Sequence, residues 1–179
     1  MDPRSVAKYI EDAEHLQMAH RLYTLIFPLD RQANRVLLGM KKRGFGKNKY
    51  NGFGGKVEAH ETIAAGAMRE LHEESGLSAR SLDKHGILFF YFEGDSVAME
   101  VHVYVTGEYA GRAVETDEMR PEWFDMDGMP FEKMWADDPE WWPMVLEGKR
   151  FVGRFWFKND MVTITRREVA PVDSLEFSG

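Results

Sequence analysis

Three carboxylates carry the clearest chemistry in this chain. Glu70, Glu73 and Glu74 stand at i, i+3 and i+4 within Gly55–Leu77, GKVEAHETIAAGAMRELHEESGL, a stretch that holds five acidic side chains in all. On a helix that spacing puts the three on one face. Like charges so close repel, and an isolated helix gains nothing from them. A row of hard oxygen donors suits Mg²⁺, which keeps several waters and borrows phosphate oxygens from a substrate, so that one or two protein carboxylates per ion suffice. Such ions neutralise charge developing on a phosphorus under attack and lower the pKa of a bound water, whose proton a remaining carboxylate can take. Just upstream, Lys41–Lys49 (KKRGFGKNK) packs five basic residues and two glycines into nine positions, and NGFGG follows. A flexible cationic loop ahead of an acidic helix fits a metal–phosphate ligand.

The elements that must position these groups are legible from periodicity. Thr62 to Glu74 reads as a helix with Ile63, Ala64, Ala67, Met68 and Leu71 as its apolar stripe and Gly76 as its C′ cap. Before it, Leu22–Pro28 and Val36–Met40 form an antiparallel strand pair around the polar DRQANR. After it, Ile87–Phe92 and Met99–Val105 make the middle of the sheet. Glu115–Pro121 reads as a loop, Glu122–Met126 as a short strand and Pro130–Asp138 as a further loop. Asp138-Pro139 opens a helix to about Leu146, with Asp138 as its apparent N-cap, Pro143 early or at a kink, and Gly148 as its stop. Arg150–Lys158 and Met161–Val169 flank Asn159-Asp160 as a terminal hairpin. At the start, Asp2-Pro3 and the spacing of Val6, Tyr9, Ile10, Ala13 and Leu16 predict a helix over 4–18. The order predicts one α+β domain over 21–170, an N-terminal helical extension over 1–20, and a frayed tail over 171–179.

The totals exclude several classes. With 179 residues and 44% hydrophobic content, the chain suffices for one sizeable core. Its formal net charge of −7 argues against a nucleic-acid polymer as partner. It has no cysteine, so disulfides, thiolate metal sites and thiol nucleophiles are excluded, which fits a cytoplasmic setting. No apolar run approaches the roughly 18 residues that a membrane span requires. The six histidines show no metal-ligand spacing, and His60 and His72 are expected at the solvated surface.

At the acidic stretch the residues resemble a known family, the Nudix hydrolases. Gly55, Glu61, Arg69, Glu70, Leu71, Glu73, Glu74, Gly76 and Leu77 satisfy every fixed position of its signature. Seven fixed residue types coincide by chance less than about once in a million starting positions. The resemblance runs on through RLYTL, RVLLGMKKRGFG, NGFGGKV, DEMRP, the Trp135 segment MWADD and REV, in the order seen in the animal branch of the family that hydrolyses oxidised purine nucleoside triphosphates. It implies an α/β/α Nudix sandwich with a mixed β-sheet between helices, dependence on Mg²⁺ with Mn²⁺ as a substitute, and cleavage to monophosphate and pyrophosphate. The implied substrates are 8-oxo-dGTP, 2-hydroxy-dATP and, further, O6-methyl-dGTP and N6-methyl-dATP. A monomer is expected, in the cytoplasm and, by the same resemblance, the mitochondrion or nucleus.

The resemblance also implies roles. The Gly55 carbonyl, Glu70, Glu73, Glu74 and Glu118 match metal ligands, Glu74 or Glu70 the general base, Arg69 a partner orienting Glu61, and Lys41 a cation near the phosphates. Asn51 would bond the purine edge, Asp137 and Asp138 would face its polar edge, and Trp135 would stack on its ring. Phe45, Phe90, Phe92 and Met99 would wall the pocket and Thr24 would floor it. Adjacent aspartates in an apolar pocket repel, so one holds a proton and donates while the other accepts. Taken singly, Phe90, Phe92 and Trp135 read equally as core, and Trp141 and Trp142 as core or helix anchors. Ala136 and Glu122 depart from the familiar pattern, and DRQANR is longer. Two other readings compete: a Nudix hydrolase of a dinucleoside polyphosphate or nucleotide sugar, and a catalytically silent nucleotide-binding module.

Overall fold

The computed structural model describes residues 18–175. The expected helix over 4–18 therefore lies, but for its last residue, outside the described residues. Ten strands and two α-helices follow in the order β1 (Ala19–Asp30), β2 (Arg35–Lys41), β3 (Tyr50–Asn51), α1 (Ile63–Ser75), β4 (Ser78–Ala79), β5 (Asp83–Phe92), β6 (Val97–Thr106), β7 (Tyr109–Ala110), β8 (Met119–Asp125), α2 (Asp138–Leu146), β9 (Arg150–Phe157) and β10 (Ile164–Val172). The main sheet runs β10-β9-β5-β6-β1-β2-β3, with β8 also on β2. It is mixed: β1 pairs parallel to β6 and β5 parallel to β9, while its other pairs are antiparallel.

Alternation along the strands builds a core on each face. Leu25, Phe27 and Leu29 of β1 join Leu88, Val101 and Val103 beneath Trp141, Trp142 and Val145 of α2. Ile26 points the other way and packs with Leu37, Phe53 and Tyr104 against Ala67 and Leu71 of α1. The two helices thus cover opposite faces of one sheet, the α/β/α arrangement. Thr62 caps α1 by accepting from the Ala65 N–H at 3.1 Å, and Gly76, at φ 75°, closes it by donating to the His72 carbonyl.

β1 and β2 touch only at Leu29–Val36 and Asp30–Arg35 and then diverge. Into that split goes the segment 53–57, whose backbone bonds to β1 at Ile26–Phe53, Thr24–Gly55 and Leu22–Val57. β2 turns away to pair along its length with β8.

Several boundaries differ from expectation. β8 starts at Met119, so part of the expected 115–121 loop is strand, because β2 needs a ladder partner once it has left β1. A 3₁₀ turn, Phe131–Lys133, interrupts the expected 130–138 loop. Asp138 is the first residue of α2; Asp137 precedes it at the cap and makes no capping bond. β10 begins three residues later than expected and continues through Val172, paired to Arg150, with Leu175 buried beyond it, so the tail is docked past residue 171.

Three histidines turn inward: His85 and His102 are buried and His20 is partly buried. His20, Glu100 and His102 lie on the α1 side of β1 and β6: Glu100 meets His20 Nδ1 at 2.9 Å and His102 Nε2 at 2.8 Å. Burial pulls the Glu100 carboxyl upward, but the two imidazoles outweigh it and hold the carboxyl at about 2. His85 is the third, 1% exposed. His60 and His72 are exposed, as expected.

Candidate active site

A cavity of about 1090 Å³ opens where β1 and β2 part, and its lining includes side chains from α1 as well as from the α2 face of the sheet. Every residue singled out for metal, phosphate or base lines it: Thr24, Lys41, Phe45, Asn51, Gly55, Arg69, Glu70, Glu73, Glu74, Phe90, Phe92, Met99, Glu118, Trp135, Asp137 and Asp138.

At its polar end the carboxylates of α1 share a face but do not converge. Among the described residues, no three His, Asp or Glu side chains close on a common point that could hold a metal. Cations hold them apart instead. Arg69 donates to both oxygens of Glu61 (3.0 and 2.7 Å), to Glu70 Oε1 (2.9 Å), to Glu73 Oε2 (3.1 Å) and to the Lys56 carbonyl (3.1 Å). Lys41 Nζ stands 3.5 Å from Glu74 and 3.7 Å from Glu118, which is also bonded by Arg43 at 2.7 Å. The Arg43 bond keeps the Glu118 carboxyl below its ordinary range.

Glu74 is the innermost of the set, 3% exposed, with Oε2 accepting the Gly54 N–H at 2.9 Å. Burial pushes its carboxyl up to about 7, the Gly54 bond and Lys41 oppose, and Glu70 and Glu118 push it further. Glu70 is likewise raised by burial against the pull of Arg69. Mutually repelling, all-oxygen donors balanced by one lysine and two arginines are the chemistry a hard divalent cation satisfies, so this set fits one. The Gly55 carbonyl accepts the Thr24 N–H at 2.9 Å and retains a second lone pair.

At the other end the walls are aromatic. Phe45 and Trp135 stack on each other, ring centroids 4.8 Å apart and 24° between planes, and Lys49 Nζ lies 5.2 Å over the Trp135 ring. Phe90 and Phe92 are half-buried against Phe155 and Phe157. Asp137 and Asp138 are buried together. Asp137 Oδ2 accepts the Trp141 indole N–H at 3.0 Å, and Asp138 Oδ2 accepts the Trp135 backbone N–H at 2.8 Å. Burial raises both: Asp137 reaches about 6 with Trp141 opposing, and Asp138 is driven well above its usual range by burial and the neighbouring carboxylate, with Lys49 opposing. The Asn51 amide oxygen accepts the Gly52 N–H at 2.9 Å. The Thr24 hydroxyl is buried with no hydrogen-bond partner. One end of the cavity therefore offers oxygen donors for a cation of the kind that could neutralise a polyphosphate, while the other offers aromatic faces beside buried polar groups that suit a flat, polar-edged ring.

Sequence reasoning missed several lining residues. Trp141 follows Asp137 by four residues on α2, the spacing at which side chains meet, so that contact was available from the helix. Phe157, Lys49 and Met161 gave no such signal, since the hairpin and the basic loop reach the cavity only through the sheet topology.

The NUDIX domain model matches residues 19–145. An oxidized purine nucleoside triphosphate hydrolase of Danio rerio is 50% identical over 147 residues, 82% of this chain and 93% of that protein. One of Mus musculus is 50% identical over 154 residues, 86% of this chain and 97% of that protein. A crystal structure of a MutT protein from Bacillus halodurans superposes with a TM-score of 0.73 at 25% identity, covering 83% of this chain and 97% of that one.

Proposed function

The chain belongs to the NUDIX family, and from that premise we propose that it hydrolyses oxidised purine nucleoside triphosphates to monophosphate and pyrophosphate. The observation that carries the reading is the single cavity, with acidic α1 and Lys41 at one end and Asn51, Trp135, Asp137 and Asp138 at the other. It is an enzyme reading: a silent module has little need for four carboxylates along one end of the cavity.

NUDIX hydrolases use divalent metal ions, and we assign Mg²⁺ here, which Glu70, Glu73, Glu74, Glu118 and the Gly55 carbonyl would hold. When bound it supplies charge neutralisation and a water of lowered pKa. The residues of the chain do the rest. Arg69 holds Glu61, Glu70 and Glu73 in register, and Lys41 brings a positive charge beside Glu74 and Glu118. The oxygen of water bonds to a phosphorus, the α–β bridging P–O bond breaks, and one proton passes to Glu70 or Glu74. Asp137 and Asp138, sharing one proton, offer a donor and an acceptor to the purine edge. Trp135 and Phe45 supply flat apolar surface, and base–aromatic stacking is worth about 1–3 kcal/mol in comparable sites. We place the protein in the cytoplasm, which imaging of a tagged chain tests, and take it to be a monomer, which light scattering on the purified chain tests.

The deciding assay is hydrolysis of 8-oxo-dGTP, 2-hydroxy-dATP, O6-methyl-dGTP, N6-methyl-dATP, dGTP, ADP-ribose and a dinucleoside polyphosphate, each with and without Mg²⁺. Oxidised purines are expected to show a kcat/KM advantage over dGTP that chelation abolishes. No advantage for any modified purine would sink the reading.

A further inference from the structure

Among the described residues, three that are not glycine have positive φ: Asn34, Asn48 and Met161. Asparagine visits the left-handed region readily, whereas an unbranched apolar side chain there is costly and has to be held. Met161, at φ 59°, is held by its surroundings. Its N–H donates to the Lys158 carbonyl at 2.9 Å. Asp160 Oδ1 accepts from the Val162 and Thr163 N–H groups at 2.9 and 2.8 Å, and Asp160 Oδ2 accepts the Thr163 hydroxyl at 2.6 Å. This closed turn joins β9 to β10, and Met161 lines the cavity, as Phe157 does, while remaining 38% exposed. A left-handed apolar residue, stapled in place and left half in water, is a poor choice for folding alone.

We propose that Met161 is a substrate-contacting, specificity-determining residue: the β9–β10 turn aims its thioether at the mouth of the base pocket, where it closes the apolar side of the pocket over a purine. The inference rests on the purine-triphosphate reading of this cavity and adds a wall to it. A flexible, polarisable side chain suits that place because it adapts to substituents on the ring.

Met161→Gly removes the side chain and accepts the left-handed backbone without strain; Met161→Asn does the same while keeping a side chain. Each is expected to raise KM for 8-oxo-dGTP and dGTP, and Kd for a non-hydrolysable purine triphosphate, by roughly three- to tenfold. The kcat and Tm should stay near wild type, Met161→Leu should retain tight binding, and dCTP, with its smaller ring, should be little affected. Unchanged KM and Kd in both variants overturn the proposal, as does an equal loss for dCTP. Loss of the fold in both would make Met161 structural and overturn it too. Failure of the underlying reading shows separately, as a wild-type enzyme with no preference for 8-oxo-dGTP over dGTP.

Discussion

Replacing Gly54 with alanine tests whether the acidic helix is held to the sheet by the close approach of two backbones. A Cβ there would lie 1.9 Å from the Thr24 carbonyl oxygen, 2.6 Å from its carbon and 3.0 Å from Leu25 Cα. Ordinary heavy-atom contact is roughly 3.5 Å, so the segment must retreat by about 1.5 Å. β1 cannot yield, because it is laddered to β6 over Ala19–Pro28. Retreat breaks the Thr24–Gly55 bond of 2.9 Å and the two bonds between Ile26 and Phe53, of 2.7 and 2.9 Å, and takes the Gly54 N–H off Glu74. At about 1 kcal/mol for each backbone bond and about 2 kcal/mol for the one to a carboxylate, the loss is about 5 kcal/mol. For a domain of this size that is roughly 10–20 °C in Tm. Glu74 loses its fixed partner as well, and a 1 Å misplacement can cost on the order of 100-fold in rate. Calorimetry and steady-state kinetics on Gly54→Ala should show both losses, beside Gly107→Ala as control, where an added Cβ meets nothing within 4 Å. A Tm within about 2 °C of wild type together with kcat/KM within about twofold would refute the close-approach argument.

Other outcomes follow from the same geometry. Trp141→Phe removes the donor that holds Asp137 at about 6, so the Asp137 pKa rises and the acid limb of kcat/KM for purine triphosphates should move up by roughly one pH unit; an unmoved limb means Asp137 is not the group it reports. Arg69→Lys keeps the charge but not the fork that spans Glu61, Glu70 and Glu73, and should lower kcat/KM by roughly 100-fold. Retention within a few-fold would show that Arg69 does not order these carboxylates. Glu100 is depressed to about 2, so its contribution to stability is complete above its unfolded value of 4.5 and is lost as pH falls toward 2. His102, held neutral chiefly by burial, adds a loss that begins below 6.5. Thermal melts should therefore show Tm falling between pH 5 and 3, with Glu100→Gln flattening that slope; an identical slope would contradict the assignment.

What could be read in advance was what is local in the chain. α1, its glycine cap and its row of glutamates depend on spacings of three and four, and the structure places them as the periodicity requires; of the expected stripe, Ile63, Ala67 and Leu71 pack on the sheet, whereas Met68, about 100° round the helix from Ala67, is 39% exposed. Strand existence followed from β-branched and aromatic runs, but strand ends did not: β8 reaches back to Met119 and β10 on to Val172 because their partners β2 and β9 extend that far. The opening between β1 and β2 has no local signature, and neither has the embrace of Gly54 by Thr24, so the spacing of the carboxylates could not reveal that Arg69 and Lys41 keep them apart. His20 and Glu100 are 80 positions apart and meet only through the parallel β1–β6 register. Asp138 illustrates a competition between local rules: its cap-like position before Pro139 was a fair signal, but the carboxyl goes to the Trp135 N–H instead.

The parallel pairing of β1 with β6 also orders events in time. Ala19 pairs with Val97, 78 residues further on, and at roughly 5–20 residues per second that separation is on the order of 4–16 s of synthesis. Throughout that interval the apolar run of β1 exists without the strand that holds it, and the glutamates of α1 are made while the β1 backbone against which Gly54 fixes them still lacks β6. Trp135 and the aspartate pair emerge later still. A growing chain therefore carries its hydrolytic residues well before it carries a pocket to choose a nucleotide, and neither can work until the sheet has closed around both.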